Sequence, residues 1–279
     1  MSLKEQIRKL LSDRLTKSAY KRAGVILYGK VFIESNVAFQ QFFSWKHPLT
    51  GLWYSLKALA SAGSRIFQGR STHYSFSYTG EDRILEGLIK PKTGEKGFYV
   101  DVGCNHPEFL SNTFLFYRLG WRGICIDANK DLVKKYKYRR PKDTAICALI
   151  SDSTEKRTYY IAENDVLSTT EPGNLEEIAR QKIEVKQTEV QPVSLTKILD
   201  QYNAPADFNL LSVDAEEHDL NVLKSLSWQK YRPKFVVVED ETFVPESPAN
   251  NPVFNFLTNK GYQLKGYILK NLYFEKVDK

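Results

Sequence analysis

Apolar residues recur along this chain in two rhythms, and the rhythm changes near residue 75. Before that point Leu3, Ile7, Leu10, Leu11 and Leu15 return at helical intervals, with Ser2 and Glu5 spaced as a capping box ahead of them. Aromatics then gather at Phe39, Phe42, Phe43, Trp45, Trp53, Tyr54 and Phe67. Beyond residue 75 the pattern becomes short, nearly continuous apolar runs at 98–100, 123–126, 145–150, 208–213 and 235–238. Such runs predict strands buried on both faces, as in a parallel sheet covered by helices. Residues 156–162 alternate as an extra strand, and 262–268 with 272–277 predict a hairpin around Lys270 and Asn271. Helices are expected between the runs. One has Thr79 as its N-cap, Asp82 at its third position and Pro91 behind it; one opens at Phe109 and ends near Gly120; one is ended by Pro141.

Gly63, Gly69 and the polar segment 70–77 mark the boundary between an appendage, residues 1–75, and a main domain, residues 76–279. Charge sharpens that division. The net charge is +7, yet residues 1–75 carry 12 Lys and Arg against 3 Asp and Glu, while the remainder carries 28 against 30. Attraction to anionic surfaces therefore belongs to the appendage. Lys4, Arg8, Lys9, Arg14 and Lys17 occupy the polar surface of its first helix, which reads either as a solvated face or as a surface that docks on a membrane. The aromatics after Phe39 read either as a packing face or as a platform for planar rings. No RNA- or DNA-binding motif accompanies the basic residues, so nucleic acid is not an expected partner. No apolar run reaches the ~20 residues of a membrane span, and MSLKEQIRKL has no signal-peptide core. The expected location is cytoplasmic, with peripheral membrane association through residues 1–72. Cys104, Cys125 and Cys147 are odd in number, lack CxxC spacing and fall in or beside the apolar runs, which predicts buried reduced thiols. The polar stretch 163–174 has the length of a lid.

Candidate chemistry lies where the apolar runs stop. The run FYVDVGCN ends in Asp101, Gly103 and Asn105, a tight turn in which glycine lets backbone approach a ligand. The turn lacks GxGxxG, which disfavours a nicotinamide or flavin dinucleotide. The next run ends in Asp127, placed as the acid that holds ribose hydroxyls about 20 residues past a nucleotide-binding turn. An adenosyl ligand is expected. Asn112 and Thr113 suit either its carboxylate or a local cap. Asp152, after the third run, suits either an adenine amino group or a plain turn.

The segments DVGCNHPEFLSNTFLF, GWRGICIDAN and LLSVDAEEHDLNVLKSL resemble the FkbM-type methyltransferases, and the likeness runs from SYTGEDRIL to GYQLKGYILKNLYFEK. The resemblance implies an α/β fold: a seven-stranded Rossmann-like methyltransferase sheet with a C-terminal antiparallel hairpin, here preceded by the helical appendage. It implies S-adenosyl-L-methionine as cofactor, with Thr79 and Glu81 beside it, and it favours contact by Asp152. The expected cofactor set is thus Thr79, Glu81, Asp101, Gly103, Asn105, Asn112, Thr113, Asp127 and Asp152. The family pattern Asp-x-Glu-Gly-x-acid is met at Asp214, Glu216 and Asp219 and broken at Glu217, where the family has glycine.

Ligands of open α/β sheets bind beyond the carboxyl ends of the strands, so Asp214 and Glu239 should face the crevice of Gly103 and Asp127. Asp214 and His218 are the expected catalytic residues. His218 would act as general base, or Asp214, His218 and Glu239 would hold a divalent ion, magnesium or manganese, that activates an acceptor hydroxyl. The acids read equally as solvated helix caps. The expected reaction is O-methylation of a sugar, glycolipid or polyketide-like product, with a small-molecule or glycan acceptor as partner. The rival is a noncatalytic adapter that keeps the cofactor fold and binds an anionic membrane or partner through its basic region.

Overall fold

The computed structural model describes residues 35–43, 48–68, 75–92, 94–162, 185–216 and 218–277. The amphipathic helix expected between Ser2 and Lys17, the stretch 163–174, Trp45 and Glu217 lie outside those residues. The chain forms two compact units, Met1–Thr72 and His73–Lys279.

In the first unit, helix α1 (Pro48–Gln68) follows a helical stretch over 35–42. Phe42 stacks on Tyr54 with ring centroids 3.7 Å apart and planes inclined by 10°, and the Ser35 and Ser55 hydroxyls meet at 2.6 Å. Of the aromatics, Phe42 and Tyr54 are thus packing residues, whereas Phe39 and Trp53 are exposed. Among the described residues no helix is long and apolar enough to cross a membrane.

The second unit runs α2 (Glu81–Ile89), β1 (Phe98–Val102), α3 (Phe114–Leu119), β2 (Arg122–Asp127), α4 (Lys130–Arg139), β3 (Thr144–Cys147), β4 (Arg157–Ala162), β5 (Val185–Val190), α5 (Leu195–Gln201), β6 (Leu210–Val213), α6 (Asp219–Lys224), β7 (Phe235–Glu239), α7 (Pro252–Asn259), β8 (Tyr262–Ile268) and β9 (Asn271–Lys276). Seven strands form one sheet in the order β3-β2-β1-β6-β7-β9-β8. The first five are parallel, and β9 pairs antiparallel with both β7 and β8. The order and directions are those the resemblance implied, a Rossmann-like sheet with an antiparallel end. The order reverses between β1 and β6, so a crevice opens beyond Val102 and Val213. Val100, Ile124, Leu211 and Val236 are at most 1% exposed and pack against Leu195, Leu199, Val222 and Leu257 from the helices. Each such side chain contributes roughly 1.5–3 kcal/mol on burial.

Four local expectations change. The third strand stops at Cys147, which at that edge is exposed while Cys104 and Cys125 are buried, and Ile150 instead makes a single parallel bridge to Val193. Strand β5, the polar VKQTEV, pairs with β4 as a separate two-stranded sheet that apolar patterning could not reveal. Gly80 rather than Thr79 caps α2, because φ +99° there turns the Thr79 hydroxyl onto Glu81. The helix expected from Phe109 begins at Phe114. His106 Nδ1 accepts the N–H groups of Glu108 and Phe109 at 3.2 Å, and Leu110 has φ +55°, which a right-handed helix cannot contain.

Beneath the crevice, fully buried Arg140 ties β1, α3 and α4 together. Its guanidinium donates to Asp143 at 2.7 Å, to the Tyr99 hydroxyl at 2.6 Å and to the Thr113 hydroxyl at 3.0 Å. The rings of Tyr99, Tyr117 and Tyr136 surround it at 5.2–5.3 Å. Tyr136 in turn donates to the Cys104 carbonyl at 2.8 Å, so the cofactor-side turn rests on this cluster.

Candidate active site

A cavity of about 410 Å³ opens beyond the carboxyl ends of the strands, within the range of small-molecule sites. The turn after β1 forms part of its wall. Gly103 has φ +75°, and its N–H and that of Cys104 both donate to the Ile126 carbonyl, at 2.9 and 3.1 Å. Asp127, at the end of β2, braces the same turn: its two oxygens accept the N–H groups of Asn105 at 2.9 Å and Asn129 at 2.7 Å. A carboxylate held by two backbone donors keeps a fixed edge toward the cavity, with lone pairs left for hydroxyl groups.

Gly103, Asn105, Asn112, Asp127 and Glu81 all line the cavity. Glu81 is 4% exposed, and its carboxylate accepts the Thr79 N–H at 2.9 Å, the Thr79 hydroxyl and the Asn271 amide at 3.2 Å. Burial alone would raise its pKa, but the bonds from Thr79 outweigh it and hold the group below the usual carboxylate range. Thr79 lies outside the lining, as the residue that orients Glu81. Asp101 and Thr113 are buried behind the wall, bonded to each other at 2.5 Å, and burial raises the pKa of Asp101. Asp152 is exposed and accepts from Asn221 at 2.9 Å, outside the lining. Ala148, Leu149, Ile150 and Tyr159 close that end instead.

At the other end, Asp214, Glu216 and Glu239 share the wall with Lys270. Burial, together with the nearby Glu239 carboxyl, holds Asp214 well above its ordinary pKa. Burial, then the nearby Glu239 charge, pushes Glu216 up to about 7. Asp219, whose carboxyl accepts the Ala215 N–H at 2.9 Å, is also pushed up to about 7 by burial. Lys270 bonds Glu239 and, at 3.0 Å, Glu241. These bonds raise its pKa against the opposing effect of burial.

His218 also lines the cavity, but its Nε2 lies 3.0 Å from the buried Ser151 hydroxyl. All three members of the expected metal set, Asp214, His218 and Glu239, line the cavity, with His218 bonded to Ser151 and Glu239 to Lys270. Among the described residues no group of three or more His, Cys, Asp and Glu is arranged to hold a metal ion.

Sequence reasoning missed Tyr78, Leu110, Tyr159, Lys270 and Asn271 as cavity residues. A signal existed for the lysine. Once β9 is laid antiparallel on β7, Glu239 falls opposite Asn271, and Lys270 comes to the acids Glu239 and Glu241.

The lining suits S-adenosylmethionine, a cation overall. Five carboxyl groups, Glu81, Asp127, Asp214, Glu216 and Glu239, face one lysine. Leu149, Ile150 and Tyr159 offer an apolar slot for a ring, Asp127 an edge for vicinal hydroxyls, and ionised Glu81 a partner for an ammonium group.

The family model described as Methyltransferase FkbM domain matches residues 101–264 of this chain. No curated protein matches it. Among solved structures it is similar to a TehB-like SAM-dependent methyltransferase from Corynebacterium glutamicum, with 11% identity, coverage of 78% of this chain and 96% of that one, and a TM-score of 0.37. It is also similar to an O-methyltransferase from Bacillus cereus in complex with SAH, with 12% identity, coverage of 80% and 88%, and a TM-score of 0.34.

Proposed function

The chain belongs to the FkbM methyltransferase family and is an S-adenosylmethionine-dependent methyltransferase; from that premise we propose that it methylates a hydroxyl of a sugar, glycolipid or polyketide-like acceptor. The observation that carries the reading is the convergence of Asp214, Glu216 and Glu239 on the cavity wall, with Lys270 bonded to Glu239. In the sheet, β7 stands three strands from β2, about 14 Å at the usual strand spacing. That separation leaves room for a ligand held by its ribose at Asp127 and an acceptor at the carboxyl pair.

The cofactor, when bound, supplies an electrophilic sulfonium methyl group for in-line displacement. The protein positions the two reactants and takes one proton. Burial and the nearby Glu239 favour the protonated form of Asp214, which leaves Glu239, bonded to Lys270, as the carboxylate that can take a proton. As the acceptor oxygen gains the methyl group, its O–H bond breaks and the proton passes to Glu239. Asp127 holds the far end of the cavity in fixed geometry, and Glu81, bonded to Asn271, stands on the side of Glu239.

The test is transfer of labelled methyl across a panel of glycans, glycolipids and hydroxylated natural products. Glu239→Gln and Asp214→Asn should each lower the rate about 10²–10⁴-fold, the usual contribution of general base catalysis, with cofactor affinity by calorimetry unchanged within about threefold. Methylation of amines or carbon with no hydroxyl acceptor in the panel would overturn the O-methylation reading. So would full rates in both variants.

A further inference from the structure

Helix α1 places its apolar side chains on the wrong side for a helix that merely covers a core. Its inward face is narrow: Gly51, Tyr54 and Ala58 are buried, and a β-carbon at Gly51 would stand 3.0 Å from the Phe39 carbonyl. Its outward face carries Leu49, Leu52, Trp53, Leu56 and Leu59, exposed by 76, 50, 58, 51 and 37%. Their spacing of three and four residues puts them on one surface of the helix. An ordinary amphipathic helix turns such a row inward and its charges outward.

Charge says what covers that surface. Residues 35–75 contain no Asp or Glu, while Lys46, Lys57, Arg65 and Arg70 are all basic. Lys57 lies along the exposed face with its ammonium 5.3 Å from the Trp53 ring centroid and 5.2 Å from that of Tyr54. This is how a lysine lays its methylene stem on apolar surface and carries its charge to the edge. The apolar centres of protein interfaces are depleted of lysine, whereas an anionic bilayer surface rewards both features.

We propose that α1 lies in the plane of an anionic lipid surface, with Leu49, Leu52, Trp53 and Leu56 at the boundary between headgroups and acyl chains. Twenty-one residues give about 31 Å of helix along that plane. This surface belongs to the first unit alone, Met1–Thr72, and is independent of methyl transfer.

The full chain should float with vesicles of equimolar phosphatidylcholine and phosphatidylglycerol and remain behind with phosphatidylcholine alone. Leu52→Glu/Trp53→Glu/Leu56→Glu should lower partition at least about tenfold. Helix content by circular dichroism should not change, which shows that the triple variant is folded. Flotation of wild type and variant alike would overturn the proposal, as would failure of the wild type to float. A wild-type dimer in light scattering that the triple variant dissociates, without flotation of either, would assign the face to a contact between copies instead.

Discussion

The carbonyl oxygen of Asp214 occupies the space that a side chain on Gly103 would need: a β-carbon there would fall 1.6 Å from it. Gly103 also has φ +75°, where side chains cost about 1–2 kcal/mol. The cofactor-side turn and the acid-bearing loop are therefore packed backbone to backbone, and neither can shift without the other.

Gly103→Ala should displace both. We expect a melting temperature lower by several degrees, since each ~1 kcal/mol is worth about 2–4 °C in a domain of this size, and cofactor affinity reduced at least about tenfold. Calorimetry with thermal denaturation measures both. An alanine variant with native affinity would mean that the loop yields freely.

Asp127 accepts two backbone N–H groups besides facing the cavity. Asp127→Asn retains one acceptor oxygen and should bind cofactor about 10–100-fold more weakly while staying folded, at roughly 1.5–3 kcal/mol for bonds to a charged group. Asp127→Ala leaves both donors unpaired and should lose thermal stability as well. Equal melting temperatures for the two variants would contradict the bracing role.

The carboxyls of Asp214, Glu216 and Asp219 are all raised, the last two to about 7. Groups that keep protons in the folded state and release them when unfolded stabilise the fold most at acid pH. That stability is present near the unfolded value of about 4 and is lost as pH rises through about 7. The melting temperature of the cofactor-free protein should thus fall between pH 5 and 8, and Glu216→Gln should flatten the curve and raise its alkaline end. A curve of the same slope in the variant would remove Glu216 from the account.

Arg140 is fully buried against Asp143 and three tyrosine rings. Arg140→Met strands the Asp143 carboxylate and should cost about 3–5 kcal/mol. Arg140→Met/Asp143→Asn, which removes both charges, should recover part of that loss. A chemical denaturation series over the two variants decides it.

The sheet was legible in the sequence because each buried strand is an apolar run with an acid or a turn behind it, as in 98–102 and 122–127. Strand β5 was not, since Gln187, Thr188 and Glu189 are exposed and it pairs only with β4, apart from the main sheet. The same distinction governs the site. Asp127, Gly103 and Asp214 stand at strand ends, and topology alone brings them to one crevice. Thr79, Asp101 and Thr113 turn their polar atoms toward a neighbour instead of the cavity, and only side-chain packing could tell. Lys270 and Asn271 were read as a hairpin corner because their partners, Glu239 and Glu81, lie far off in sequence.

That distance has a consequence for synthesis. Asn271 and Glu81 are bonded across 190 positions, and β9 enters the sheet between β7 and β8. On the ribosome, at about 5–20 residues per second, every cofactor-side residue emerges well before the lysine that balances the acid pair. A nascent chain halted within β8 would carry Gly103, Asp127, Asp214 and Glu239 and still hold its acids without their counter-charge. Glu239 and Glu81 thus meet their partners Lys270 and Asn271 only once the last strand has been made.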